Sequence, residues 1–337
     1  MKIKIFSLIR ERWGDMNARL IKYALQELKF VTSPGSMKVI GDKIWYLLPR
    51  LAGLRSLQSI KTPWSLQLEP TNLCNLSCIS CPSGRSKRKK GMMDFELFRK
   101  IADDAGKAGV KRIHLYLHGE PFLHPEIMEM IKYLVVKKLP VHVTTNGMFL
   151  TEEKSRELLD TGVTPADHIL FSVLGYSKEI HELVMKGVKN EVVVANILKL
   201  VELRSEMNAN GPIVETIFYT MPENRSDKKK YLDFWDGKVD HVRIFDQISN
   251  SFAAYKSGDE AGAARKRICL NIWERMTICW NGDVTLCSCD LDGDYVVGNL
   301  RESTLEQVWN SPRLVTYRSL HKNKRYGEIP LCACCDS

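Results

Sequence analysis

No stretch of the 337-residue chain approaches the roughly 18 apolar residues that a membrane-crossing helix needs. Its opening, Met1-Lys-Ile-Lys-Ile-Phe-Ser-Leu-Ile-Arg10, lacks both a long apolar core and a small-residue cleavage site, so no signal peptide is expected. It also lacks an aromatic-interleaved basic motif of a known nucleic-acid module, and nucleic acid is not an expected partner. Cysteine is absent from the long middle between Cys81 and Cys269. The ten cysteines fall in two groups instead, three in one short motif and seven after residue 268. In a chain without an export signal, that placement argues for metal ligation in a reducing cytoplasm and against a disulfide framework.

The first group lies in Glu69 to Pro82, EPTNLCNLSCISCP, where Cys74, Cys78 and Cys81 have the spacing C-x3-C-x2-C. The alternating run Ser65 to Glu69 before them reads as a strand whose loop they begin. Three thiolates in one loop can hold three irons of a four-iron cubane and leave the fourth iron open to a substrate or cofactor. A structural zinc loop is the alternative, but zinc wants a fourth ligand nearby, and the loop holds no His or further Cys. The net charge is +9, part of it in Arg85, Lys87, Arg88, Lys89 and Lys90 just after the loop. These five read either as a solvated loop or as an entrance that attracts an anionic substrate or surface.

Residues 1–62 precede the motif domain. Asp15 to Val31 has helical spacing, Pro34-Gly35 breaks it, and Lys38 to Leu57 suggests one or two more helices. The segment is basic and carries the apolar cluster IWYLLPRLAGL, so it is expected as a helical lid or, alternatively, as a peripheral membrane contact. From Ser65 the pattern becomes strand–helix. Strands are expected at Ser65 to Glu69, Arg112 to His118, Val141 to Asn146, His168 to Val173, Ile213 to Thr220 and His241 to Asp246. Helices are expected at Asp94 to Ala108, Pro125 to Lys138, Thr151 to Thr161, Val192 to Met207 and Ser226 to Trp235. Six successive βα units imply a parallel sheet with right-handed crossovers and a site at the carboxyl ends of the strands. His114, His142 and His168 fall within strands and read as satisfied structural residues, while His124 before Pro125 reads as a helix starter.

The cysteine loop and the unit count together resemble the radical S-adenosylmethionine (radical SAM) superfamily. The resemblance implies an α/β fold: a partial (β/α)6 TIM-like barrel with an N-terminal helical segment and a small C-terminal cysteine-rich domain. The divisions are 1–62, 63–248 and 249–337. It implies that Cys74, Cys78 and Cys81 hold a 4Fe-4S cluster that binds S-adenosyl-L-methionine, and that a flavodoxin or ferredoxin supplies electrons. His118-Gly119-Glu120-Pro121 resembles the family's Gly-Gly-Glu motif with His118 in place of the first glycine. Gly119 and Glu120 would then receive the methionine amino group, and a carboxylate there offers a charge-assisted bond. Asn146 in Thr144-Thr145-Asn146-Gly147 and Ser172 at the end of the fourth strand resemble the family's cofactor-facing positions, as Lys186 does for the methionine carboxylate. Ser80 departs from the family, which commonly places an aromatic residue before the third cysteine.

After Cys269 the composition changes. Met276 to Trp280 and Val284 to Cys287 alternate about Asn281-Gly282, a strong hairpin signal, and a helix is expected from Ser303 to Asn310 with Ser303 as its cap. Cys269, Gly282 and Cys287 resemble the start of a SPASM domain, and the end after Cys335 resembles the shorter twitch form with one auxiliary 4Fe-4S cluster. The ligand set implied by the resemblance is Cys269, Cys287, Cys332 and Cys335, with Cys334 able to replace either of the last two. Cys279 and Cys289 are expected as packed thiols or, alternatively, as a hydrogen-atom donor near the substrate. A zinc ribbon stays open here as well. The cysteine spacing is similar to that of the 2-deoxystreptamine-pathway dehydrogenase. The implied reaction is therefore abstraction of a hydrogen atom from a small-molecule or anionic substrate, with dehydrogenation or epimerisation of a sugar or aminocyclitol carbinol. Radical modification of a peptide or of a membrane-lipid or cell-envelope precursor, and a non-enzymatic metal module, are the alternatives.

Overall fold

The computed structural model describes residues 61–246, 268–333 and 335. The expected N-terminal helices, and with them the membrane contact, lie outside the described residues. Six parallel strands run β1 (Ser65–Leu68), β2 (Arg112–Leu115), β3 (Val141–Thr145), β4 (His168–Ser172), β5 (Ile213–Thr220) and β6 (His241–Asp246) in unbroken spatial order. Helices α1 (Phe95–Lys107), α2 (Ile127–Val136), α3 (Glu152–Asp160), α4 (Lys178–Val184), α5 (Asn190–Glu206) and α6 (Lys228–Trp235) connect them. This is the partial (β/α) barrel that the strand–helix alternation predicts. Asp94 and Thr151 cap α1 and α3 by accepting the backbone N–H of Leu97 and Lys154, so capping and amphipathic pattern agree on where these helices start. Helix α4 was not expected from the sequence.

Three further strands, β7 (Arg275–Ile278), β8 (Asp283–Thr285) and β9 (Val296–Asn299), do not form a sheet of their own. The expected hairpin is β7–β8, and β7 pairs in parallel with β1, Leu68 opposite Ile278, making one nine-stranded sheet. The loop that follows β1 and the hairpin turn that follows β7 therefore leave the sheet at the same end. Helices α7 (Leu305–Trp309), α8 (Pro312–Lys322) and α9 (Pro330–Ala333) complete the described chain. The cap of α7 is Thr304, in a capping box with Gln307, rather than Ser303, because the helix begins one residue later than expected.

The central strands β1 and β4 are buried along nearly all their length, as parallel strands covered on both faces must be, while the edge strand β6 is half-buried and leaves Phe245 exposed. Alternation puts Gln67, His114, His142, His168 and Glu215 on the face that also carries Tyr116, Thr144, Ser172 and Tyr219, with His142 in register with both His114 and His168. One layer of the barrel interior is thus polar. His168 Nδ1 lies 2.5 Å from Glu215 Oε1, and Arg243 pairs with Oε2. His168 is satisfied as expected, but His142 is not: its two ring nitrogens meet no hydrogen-bond partner, and the ring stacks 5.6 Å from His168. Burial and the neighbouring histidines hold His142 neutral.

Candidate active site

The loop after β1 is held by two neighbours. On one side the returning segment staples it: Thr71 Oγ1 donates to Gly91 O at 2.8 Å, Asn72 donates to Lys89 O, and Gly91 N–H donates to Asn72. On the other, Ser77 N–H donates to Lys186 O and Ile79 N–H to Val184 O, both at 2.9 Å. The basic stretch takes part in this frame. Arg88 forks onto fully buried Glu69 at 2.7 and 2.8 Å and also donates to Leu291 O, while Lys90 donates to Asn72 O. Arg88 is therefore a structural cation paired with a buried carboxylate, whereas Lys90 stays exposed while bracing the loop. Trp280 N–H also donates to Glu69, so one buried carboxylate joins the cysteine loop to the C-terminal hairpin.

Cys74, Cys78 and Cys81 line a cleft of about 380 Å3 at the carboxyl ends of the strands. Gly119, Glu120, Asn146 and Ser172 line it too, so seven of the eight residues expected on the barrel come together. Lys186 is the eighth. Its side chain is exposed and outside the lining, and its contribution is the carbonyl that holds Ser77. Gly119 is required by close approach: a Cβ there would sit 2.1 Å from Thr71 O and 2.7 Å from Leu73 O. The adjacent Glu120 N–H donates to Leu73 O at 2.8 Å. Glu120 Oε1 accepts from Thr145 Oγ1 at 2.7 Å and Phe122 N at 3.1 Å, and Oε2 accepts from Asn146 N at 2.8 Å. A carboxylate offers about four lone-pair sites, so one is left for an incoming ammonium. Burial raises the Glu120 pKa despite these donors, and a bound cation would reverse that cost. Asn146 donates to Asn75 Oδ1 at 2.9 Å and so ties β3 to the cysteine loop.

The thiols themselves test the iron-sulfur reading. Desolvation pushes Cys78 up to about 12, and the neighbouring Cys81 and Cys74 charges push the same way; Cys74 is raised by desolvation and by Glu120 and Cys81. Cys81 opposes the ionisation of both Cys74 and Cys78 across one small volume, and cationic irons there would invert the effect. Ser83 Oγ lies 3.0 Å from Cys81 Sγ and can donate to its thiolate. Among the described residues no three His, Cys, Asp or Glu side chains are grouped tightly enough for a single metal ion. Three thiols around one volume, with no tight single-ion set among them, suit a body of several irons bound one per sulfur.

The C-terminal cysteines divide differently from expectation. Cys279 is buried beside Glu69 as a packed thiol, pushed up to about 12 by burial. Cys289, also expected to be packed, instead touches Cys287: its N–H donates to Cys287 Sγ at 3.4 Å, and its thiol is the leading cause of Cys287's raised pKa, ahead of burial and Cys335. Cys335 N–H donates to Cys332 O, and Cys269 and Cys332 meet through His321. Cys334 lies outside the described residues. Sequence reasoning missed Gln67, Tyr116, Tyr219, Arg275 and Ser288 in the cleft wall. Period-two alternation could have found the two tyrosines, but Arg275 and Ser288 arrive only through the β1–β7 pairing. His118 also lines the cleft, and its backbone partner Ser288 stands between Cys287 and Cys289.

A barrel that carries three thiols, a buried carboxylate and a cleft at its strand ends defines a radical S-adenosylmethionine enzyme. Residues 68–234 match the Radical SAM superfamily and residues 269–336 match the SPASM iron-sulfur cluster-binding domain; the chain belongs to the radical SAM superfamily. Its cofactors are accordingly S-adenosylmethionine, a 4Fe-4S cluster and auxiliary iron-sulfur in the SPASM domain. It is 26% identical over 315 residues to the tungsten-containing aldehyde ferredoxin oxidoreductase cofactor-modifying protein of Pyrococcus furiosus, covering 81% of this chain and 88% of that one. It is 23% identical to the S-adenosyl-L-methionine-dependent 2-deoxy-scyllo-inosamine dehydrogenase of Niallia circulans, covering 81% and 92%. Among solved structures it is similar in fold to SuiB of Streptococcus suis bound to S-adenosylmethionine, with a TM-score of 0.62, 16% identity and coverage of 93% and 78%. It is also similar to BtrN in complex with AdoMet and 2-DOIA, with a TM-score of 0.55, 19% identity and coverage of 82% and 93%.

Proposed function

We propose that this enzyme oxidises a carbinol carbon of a small, polyhydroxylated substrate of the sugar or aminocyclitol type. In this reading Cys74, Cys78 and Cys81 ligate the S-adenosylmethionine-binding cluster, Gly119, Glu120, Asn146 and Ser172 cradle the cofactor, and the C-terminal cysteines ligate one auxiliary cluster. When bound, these groups supply a 5′-deoxyadenosyl radical able to take a hydrogen atom from carbon. Oxidation of a carbinol to a ketone then leaves one proton for a base or solvent and one electron for an acceptor near the cleft. The observation that carries the proposal is the place of Ser288: it lines the cleft, with Cys287 and Cys289 on either side of it in sequence. Arg275 and Ser288 also line a small void of about 10 Å3 that Cys287 borders. An electron acceptor on Cys287 is thus one residue from the substrate wall. Gln67, Tyr116, Tyr219 and Arg275 give that wall the hydrogen-bonding groups a polyol needs, and Lys186 has no part in it.

Peptide modification is the second reading, favoured by the fold's likeness to SuiB bound to precursor peptide SuiA, at a TM-score of 0.60. The lipid reading loses one of its basic residues, because Arg88 is committed to buried Glu69. Among the described residues no helix is long and apolar enough to cross a membrane. The test is reconstituted enzyme with dithionite, S-adenosylmethionine and panels of aminocyclitols, sugars and peptides deuterated at the candidate carbon. Deuterium in 5′-deoxyadenosine together with a ketone product from a polyol supports the proposal. Deuterium transfer from peptides alone overturns it.

A further inference from the structure

His321 lies in α8, fully buried, its ring edge-on to Trp273 and 5.6 Å from Tyr326. Its two nitrogens face two cysteines that are distant in sequence. The backbone N–H of Cys269 donates to Nδ1 at 3.3 Å, and Nε2 lies 3.4 Å from Cys332 Sγ. A ring nitrogen that accepts from a backbone amide carries no hydrogen. The neutral ring's hydrogen is then on Nε2, aimed at sulfur.

We propose that His321 is a positioning residue that sets the reduction potential of the C-terminal cluster by donating its Nε2–H to Cys332. This rests on the reading that Cys269 and Cys332 are ligands of that cluster. Reduction adds one negative charge to the cluster and its thiolates, and a donor aimed at a sulfur stabilises the more negative form. Burial of both the ring and the sulfur strengthens the effect, since a hydrogen bond is electrostatically stronger in a low-dielectric interior. The potential therefore rises, which favours a cluster that accepts an electron. The acceptor role of Nδ1 matters as well: by taking the Cys269 N–H it fixes the tautomer and holds the two ligand-bearing segments in register. Cys287 has a comparable donor, the Cys289 N–H at 3.4 Å, but that donor is backbone and cannot be removed by substitution. His321 is the side-chain donor that can.

The experiment uses the full chain with Cys74, Cys78 and Cys81 all changed to Ala, so that only the C-terminal cluster titrates in EPR-monitored potentiometry. His321→Phe keeps a ring between Trp273 and Tyr326 and removes the donor. His321→Gln can still accept from Cys269 and donate to Cys332. The expected result is about a tenfold fall in the reduced-to-oxidised ratio at fixed potential for His321→Phe, about 59 mV for one electron, with His321→Gln close to the parent. A purely structural role would lower iron content and leave the potential of the remaining clusters unchanged, which would overturn the proposal. Loss of the C-terminal irons in both variants would overturn it too, by making His321 a ligand or a prop. An iron-free parent would instead refute the ligand reading on which the proposal stands.

Discussion

Gly119→Ala tests how the cofactor carboxylate and the cysteine loop are joined. The added methyl carbon would lie 2.1 Å from Thr71 O, 2.7 Å from Leu73 O and 2.8 Å from Thr71 C. All three are backbone atoms of the segment that leads into Cys74, so no flexible side chain can yield. The hydrogen bond from Glu120 N–H to Leu73 O must lengthen if the segments part. Overpacking costs typically 1–3 kcal/mol, and a contact this short against backbone belongs at about 3 kcal/mol. For a unit of this size that corresponds to roughly 6–12 °C in Tm at 2–4 °C per kcal/mol. Gly84→Ala is the control, since a Cβ there meets nothing within 4 Å. Thermal denaturation of the apoprotein reads the first effect, and S-adenosylmethionine affinity of the reconstituted protein reads the second. We expect Gly119→Ala to lose both stability and affinity while Gly84→Ala keeps both. A Gly119→Ala protein with unchanged Tm and affinity would refute the close-approach argument.

Three further outcomes are expected. Cys78→Ala abolishes cleavage of S-adenosylmethionine, whereas Cys287→Ala retains some 5′-deoxyadenosine release and loses product; equal behaviour of the two, followed by chromatography, would contradict the separate roles. Glu215→Gln strips the buried partner from His168 and Arg243 and destabilises by about 3 kcal/mol, read by urea denaturation. Burial pushes His118 down to about 4, with Arg88 and Lys90 acting in the same direction. The unfolded chain takes up that proton near 6.5 and the folded chain only near 4, so the contribution is whole above about pH 6.5 and falls as pH drops towards 4. The loss is at most about 3 kcal/mol across that window, and His118→Asn apoprotein should show a flatter stability profile there.

The barrel was legible because parallel strands and amphipathic helices write local, periodic patterns. Ile213 to Thr220 and His241 to Asp246 are the observed strands to the residue. The cysteine loop was legible because its spacing is local too. What stayed hidden depends on contacts between distant segments. The pairing of β7 with β1 brings Ser288 and Arg275 into the cleft, and nothing in Arg275 to Ile278 alone says which strand it will join. Arg88 read as surface charge because a basic run gives no sign of a buried carboxylate 19 residues earlier. Helix α4 is short and follows a loop, so its period is barely expressed. Cys289 reads in sequence as a packed thiol or a hydrogen-atom donor, because its meeting with Cys287 is a turn geometry that spacing alone does not reveal. His142 departs from its sequence reading for a related reason: its environment depends on what stands opposite it on two other strands.

The central claim is that one chain holds two iron-sulfur clusters and uses the first to cleave S-adenosylmethionine. It is tested most directly by iron and sulfide content of anaerobically reconstituted protein, with 5′-deoxyadenosine release after S-adenosylmethionine and dithionite are added. Roughly eight irons with cofactor cleavage is the predicted result. Bound zinc without cleavage would contradict the account at its root, and about four irons with cleavage would remove the electron acceptor from the proposed oxidation.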